Sequence, residues 1–331
     1  MNLCLACVLL GAGVVILWKG ADLLVAGAVA LAKRLGVSAL VVGLTVVAMG
    51  TSAPEVAASI AAAVRGMGDT AIGNVYGSNI ANLALVGGLV ALIRPLEVRK
   101  LTLVREVPVM LGVALLLWPV LANLNLSRPE GLALLAVFAT LVTLMVYVEK
   151  KRVKREAIEN ASEAALQSSE NAAGRRGKGA GRNVLFILVG LAALALGADL
   201  AVRGAVVVGK RVGLSDAVIG LTIIAIGTSL PELATCVVAA VKGHHDISVG
   251  NLVGSNIFNT LLVTGVAGSV RPFGLEQRLV GIDYWVMIAV SVAFGVVALL
   301  CKRRIGRTGG ILLVSGYVAY MVYVLGFSAG V

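Results

Sequence analysis

Charge is scarce in this chain. Of its 331 residues only 14% are Asp, Glu, Lys or Arg, 59% are hydrophobic, and the mean hydropathy is +0.98. Soluble domains carry nearer a quarter charged residues. The deficit excludes a soluble globular protein and implies an integral membrane protein. Aromatic residues are also few, at 5%, whereas glycine is plentiful, at 40 residues. Small residues let membrane helices approach closely, so a tightly packed helical bundle is expected. The apolar runs are long and continuous rather than alternating ten-residue strands, which argues against a β-barrel. Histidine occurs twice and cysteine four times. His244 and His245 are adjacent in a loop, where they are expected to be solvated. Cys4 and Cys7 have redox spacing but no partner pair and no βαβ context. With Cys236 and Cys301 they are read as inert buried thiols. The phosphate-loop pattern G-x-x-x-x-G-K-[ST] is missing from 174-GRRGKGAGR-182, and no strand precedes it, which speaks against an ATPase. No nucleophile–base pair or metal-ligand motif marks an enzyme, and no cofactor is expected.

What is present is a series of spans. A membrane helix needs roughly 20 apolar residues. Ten segments qualify: 3–32, 37–64, 70–92, 103–121, 129–149, 183–210, 214–241, 247–268, 278–301 and 307–328. The first and sixth exceed a perpendicular span and should tilt. The first has no basic leader region and is kept as a mature helix. A polar segment, 150–182, separates five helices from five. It opens as a polar helix and ends as a flexible basic linker. The net charge of +11 lies mostly in short interhelical segments, so it sets topology rather than binding nucleic acid. With the N-terminus outside, inner loops hold 20 basic residues and outer loops 6. Both termini are therefore expected on the extracytoplasmic side of the cell (inner or plasma) membrane, with the linker cytoplasmic.

The two halves are copies. Residues 36–95 align without gaps to 213–272 at an offset of 177, with 43-GLTVVAMGTSAPEVA-57 over 220-GLTIIAIGTSLPELA-234 and 73-GNVYGSNIAN-82 over 250-GNLVGSNIFN-259. The offset also pairs Asp22 with Asp199, Gly27 with Gly204 and Glu106 with Asp283. A unit of five helices, an odd number, makes the second copy enter from the opposite side. The expected fold is an all-α integral membrane protein of ten transmembrane helices in two inverted-topology repeats, 1–149 and 183–331, with motifs at 43–88 and 220–265. Inverted repeats around a midplane site recur in transporters.

The repeated motifs concentrate oxygen. Pro54 deprives the Gly50 carbonyl of its intrahelical partner. Unpaired backbone oxygens are costly in hydrocarbon unless they line a cavity or meet a cation. Thr51 and Glu55, at i and i+4, share that face. Thr228, Glu232, Gly227 and Pro231 repeat the set. Asn74, Ser78 and Asn82 run along one face of the third helix, and Asn251, Ser255 and Asn259 along the eighth. Oxygen-only ligation suits Ca²⁺, Mg²⁺ or Na⁺, and a flexible cage with two carboxylates suits Ca²⁺ better than Mg²⁺. Asp69 and Asp246, ahead of the third and eighth helices, are read as N-caps. Asp22 and Asp199 are read as pairing with Lys19 and Arg203 at helical spacing.

With GTSAPE…GSNIAN and GTSLPE…GSNIFN, the sequence resembles the cation/Ca²⁺ exchanger superfamily, specifically the prokaryotic sodium/calcium exchangers, over all ten helices. The resemblance implies four cation sites between helices 2, 3, 7 and 8. Glu55 and Glu232 would be the central Ca²⁺ ligands, with carbonyl oxygens from Thr51 and Thr228. Ala48, Ser52 and Ser78 would form one flanking Na⁺ site, Ala225, Ser229 and Ser255 the other, and Asn82 and Asn259 would sit in the middle. Helices 1 and 6 would slide across this core. Many relatives have Asp where this chain has Asn259, which removes a third carboxylate and makes K⁺ co-transport less expected. The linker is too short for the Ca²⁺-sensing β-sandwiches of animal exchangers. The expected function is Na⁺/Ca²⁺ antiport by a functional monomer, with the ions bound as substrates. The same glutamates can carry protons, so Ca²⁺/H⁺ exchange is the competing reading, and a cation channel is a more distant one.

Overall fold

The computed structural model describes residues 2–165, 180–214, 219, 222, 223 and 225–328. Its helices are α1 (Leu3–Leu35), α2 (Ala39–Thr51, then Ala53–Val64 after a 44° bend), α3 (Gly68–Ile93), α4 (Thr102–Leu121) and α5 (Arg128–Ala165). They continue as α6 (Ala180–Arg211), α7 (Ala225–Thr228 and Leu230–Val241), α8 (His245–Val270), α9 (Leu279–Leu300) and α10 (Arg307–Ser328). Among the described residues eight helices are long and apolar enough to cross a membrane, and nine with bent α2 counted as one. The expected span 214–241 is described only in part. Gly220 and Leu221 of the second motif, and 174–179 of the basic linker, lie outside the described residues.

Local chemistry sets the ends. Asn2 caps α1 by accepting from Leu5 N at 2.8 Å. Gly36, at φ 60°, ends α1 in the left-handed region, where a side chain is strained. The expected separate polar helix after residue 149 is instead a continuation of α5 to Ala165. The run 150-KKRVKREAIENASEAA-165 contains no Gly or Pro to stop it.

Small residues then fix the packing. Gly13, Gly20 and Gly27 of α1 meet α6, whose Gly190, Gly197 and Gly204 meet α1 in return. The contacts run in opposite chain directions, so the two helices are antiparallel. A Cβ on Gly13 would lie 2.6 Å from Ala201 N, and one on Gly204 2.6 Å from Ala6 O. The α2–α8 contact is equally close: a Cβ on Gly254 would lie 2.6 Å from Leu44 O. The α1–α6 glycine set recurs at the 177-residue offset.

Ties at the bundle's two ends also recur between the halves. Two-residue strands β1 (Leu96–Glu97) and β4 (Arg304–Ile305) pair antiparallel, as do β2 (Asn125–Leu126) and β3 (Phe273–Gly274). The ties recur at 177 residues, except that β2 and β4 are 179 apart. Arg94 Nη1 donates to Val241 O, and Arg271 Nη1 donates to Val64 O at 2.6 Å. Asp69 and Asp246 do not act as N-caps. Both lie in the first helical turn, where their charge suits the helix dipole, and both reach across the bundle. Asp69 accepts from Glu276 N at 2.8 Å, and Asp246 pairs with Arg99 at 2.5 Å.

Three more expectations change. Asp199 pairs with Arg203 at 2.8 Å as expected, but Asp22 pairs with Lys242 at the end of α7 rather than with Lys19. Cys4 and Cys7 are exposed on the outside of α1, while Cys236 is buried. His244 and His245 are half-buried, lining a 220 Å³ cavity with Arg99 and Asp246.

Candidate cation site

The bend in α2 falls at Ser52, between Gly50 and Pro54, with φ −81° and ψ 6°. Ser229 in α7 takes nearly the same conformation, φ −90° and ψ 5°. Each break turns a short polar stretch toward the middle of the bundle. Glu55 and Glu232, in the first turn after each break, are fully buried. They lie within electrostatic reach of one another. Residues far apart in sequence converge here: Ser52 Oγ donates to Glu232 Oε1 at 3.2 Å, and Thr51 Oγ1 donates to Asn251 Oδ1 at 3.1 Å.

Two relays hold these groups, and sequence reasoning placed their members differently. Asn74 Nδ2 donates to Glu55 O at 3.2 Å and to Ser59 Oγ at 2.9 Å, and Ser59 Oγ donates to Ala71 O at 3.1 Å. In the second copy Asn251 Nδ2 donates to Cys236 Sγ at 3.3 Å, and Cys236 Sγ donates to Ser248 O at 3.5 Å. Cys236 thus fills the structural position of Ser59. The amide nitrogens of Asn74 and Asn251, residues expected to help line the cage, hold other groups in place. The offset that pairs Ser59 with Cys236 was the available signal.

Several buried oxygens and nitrogens at the expected site positions have no hydrogen-bond partner among the described residues. They include both carboxylate oxygens of Glu55, Oε2 of Glu232, both amide atoms of Asn82 and of Asn259, and the hydroxyls of Ser229 and Ser255. A buried polar atom left unsatisfied costs about 1–3 kcal/mol, and more when charged. So many in one bundle, two of them carboxylates, fit a cation that accepts electron pairs from oxygen. Asn82 and Asn259 each sit in a π-helical turn, Ala81–Val86 and Asn259–Val263. Such turns often mark functional sites.

The remaining candidates are arranged as follows. Ala48 is buried, and its carbonyl accepts from Thr51 Oγ1 at 3.4 Å. Ser78 is buried beside Asn74 on an 80 Å³ cavity that reaches Tyr317 and Tyr320 of α10. Thr228 is half-buried. Ala225 lies in the first piece of α7, with its side chain outside the described residues. A larger cavity of about 610 Å³ opens beside both breaks, touching Thr51, Pro54, Thr228 and Pro231, with Asp199 of α6 on its wall.

Comparison with known proteins agrees with this geometry. The family model described as sodium/calcium exchanger protein matches residues 5–147 and 182–326. CaxA of Alkalimonas amylolytica is 40% identical over 310 residues, 93% of this chain and 95% of that protein. Inner membrane protein YrbG of Escherichia coli (strain K12) is 37% identical over 322 residues, 96% of each chain. Sodium/calcium exchanger MaX1 of Methanosarcina acetivorans is 35% identical, covering 94% of this chain and 95% of that one. A solved structure of the sodium-calcium exchanger NCX_Mj, soaked with Na⁺ and Sr²⁺, superposes with a TM-score of 0.79 at 28% identity, over 97% of this chain and 99% of that one. With its motifs, its broken helices and these likenesses taken together, the chain belongs to the sodium/calcium exchanger protein family, a family of membrane cation/Ca²⁺ antiporters.

Proposed function

We propose that this protein exchanges Na⁺ for Ca²⁺ by exposing one site alternately to the two sides of the membrane. The unpartnered buried oxygens of Glu55, Glu232, Asn82, Asn259, Ser229 and Ser255 carry this reading. Two carboxylates and several neutral oxygens make a hard-donor cage, and Na⁺ and Ca²⁺ are close enough in size to share one. Thr51, Thr228, Ala48 and Ala225 contribute at the helix breaks, and Ser52 and Ser78 at one flank. Asn259 is neutral, so the cage holds two fixed charges, which one Ca²⁺ balances. Without a bound cation the two charges oppose passage of the site through the bilayer centre, where each costs on the order of 2.5–3.5 kcal/mol. That cost suppresses slippage and couples the two ions.

The antiparallel α1–α6 pair and the ties recurring between the two halves support ten spans in two inverted repeats. The basic loops support extracytoplasmic termini and a cytoplasmic 150–182 segment. The protein acts as a monomer, because each chain carries both copies of the motif.

Reconstituted vesicles loaded separately with Na⁺, K⁺ or H⁺ gradients test the reading. Ca²⁺ uptake should follow an outward Na⁺ gradient and ignore K⁺. Uptake driven equally well by a pH gradient alone would replace the Na⁺ reading with Ca²⁺/H⁺ exchange.

A further inference from the structure

The two halves share a sequence pattern but differ in what they touch, and one difference concerns charge. Asp22 of α1 and Lys242 at the end of α7 have exact counterparts 177 residues away, Asp199 of α6 and Arg65 at the end of α2. Both pairs keep one acid and one base. Only the first is joined: Lys242 pairs with Asp22. Asp199 turns to its own helix and pairs with Arg203, while Arg65 is exposed at the end of α2. Among the described residues no ion pair joins Asp199 to Arg65.

The packing differs in the same sense. Leu17, Ala21, Leu24 and Val25 of α1 pack on Val238 and Ala239 of α7 in one apolar cluster. Their mirror, α6 against the second part of α2, holds the 610 Å³ cavity instead, lined by Ala57, Ala198 and Asp199. So α1 covers one broken helix and latches to its end, while α6 stands off from the other and its latch is open.

We propose that Asp22–Lys242 and Asp199–Arg65 are reciprocal ionic latches, one closed at a time, that hold the α1–α6 pair at either limit of its travel. This rests on the alternating-access reading above. Moving the antiparallel pair along the core carries Asp22 away from Lys242 and brings Asp199 toward Arg65. In the closed latch the side chains are 42% and 39% exposed on the protein, and a partly exposed ion pair is weak. Weakness suits a latch that must open in every cycle.

The test uses full-length protein in vesicles, with Cys4, Cys7 and Cys301 changed to Ser and buried Cys236 retained. One labelling site is Ala57→Cys, on the open cavity. The other is its counterpart Ala234→Cys, packed beneath α1. Maleimide labelling should be fast at Ala57→Cys and slow at Ala234→Cys. Asp22→Asn or Lys242→Gln should raise the Ala234→Cys rate and lower the Ala57→Cys rate by on the order of two- to fivefold, the scale of such a pair. Asp199→Asn or Arg65→Gln should shift the two rates the opposite way. The swap Asp22→Lys with Lys242→Asp should restore the original ratio. Unchanged rates in monodisperse protein, or rates that move in the same direction at both positions, would overturn the latches. Labelling reports position without flux, so Ala57→Cys and Ala234→Cys proteins that label as expected, beside a wild type that carries no Ca²⁺, would count against the antiport reading alone.

Discussion

At the scale of single residues the site divides into groups that are bonded and groups that are not. Both carboxylate oxygens of Glu55 lack a hydrogen-bond partner among the described residues, while Glu232 accepts from Ser52 through Oε1. Neutralising either should therefore remove cation binding while leaving the bundle intact. Glu55→Gln and Glu232→Gln are each expected to lower Ca²⁺ flux at least tenfold, the effect of about 1.4 kcal/mol, with unchanged monodispersity on gel filtration. Asn251 is the opposite case, because it joins Thr51 to Cys236. Asn251→Ala should cost about 1–3 kcal/mol by leaving buried partners unsatisfied, seen as a lower midpoint of thermal unfolding. Cys236→Ser should be nearly silent in the same assay, since the first copy already has Ser59 in that role. His244, outside the spans, is held below the usual imidazole range by burial and by the nearby Lys242 and Lys33. It stays neutral in the folded protein, so its contribution is intact above the usual imidazole value and fades as pH falls through its lowered one. His244→Gln should flatten that part of the stability–pH curve on the acid side. The oxygen set was legible in the sequence because Glu, Asn and Ser stand out in apolar runs. The relays were not, because a side chain's partner depends on the helix facing it.

At the scale of elements, glycine decides how near the helices come. Gly254 has Leu44 O against it, and Gly13 has Ala201 N. Gly254→Ala is expected to cost about 1–3 kcal/mol through overpacking, since its obstacle is backbone and cannot swing away. Gly112→Ala, with open space beside it, should be neutral or slightly stabilising in the same unfolding measurement. The breaks at GTSAPE and GTSLPE were readable from Pro and Gly in a membrane run, and the bend appears there. Other features had no local signature. The strand pairs β1–β4 and β2–β3 form only where loops from different parts of the chain meet. The π-helical turns around Asn82 and Asn259 carry no Pro or Gly break signal of the kind that marks α2. The extension of α5 to Ala165 has no local signature either, because the change from apolar to polar composition at 150 suggests an end where nothing in 150–165 breaks the helix.

At the scale of the whole molecule the repeat underlies both the proposed site and its proposed movement. Duplication supplies two broken helices, each with a buried carboxylate, and under alternating access it would supply two equivalent resting positions for the α1–α6 pair. The structure occupies one of them, with α1 seated on α7 and a cavity between α6 and α2. The repeat itself was plain at the 177-residue offset, but which copy's contacts are made was not, because identical motifs give identical expectations for both. The charge balance of the cage is likewise a property of the whole. In the proposed cage, two carboxylates with neutral Asn82 and Asn259 would accept one Ca²⁺ without residual charge, and Na⁺ would compete for the same oxygens.

That competition is open to direct measurement as equilibrium binding of radioactive Ca²⁺ to purified protein during a titration with Na⁺. Ca²⁺ should be displaced by Na⁺ but not by K⁺, and should fail to bind Glu55→Gln and Glu232→Gln. Ca²⁺ binding that ignores Na⁺ and persists in both variants would contradict a shared cage built on these two glutamates.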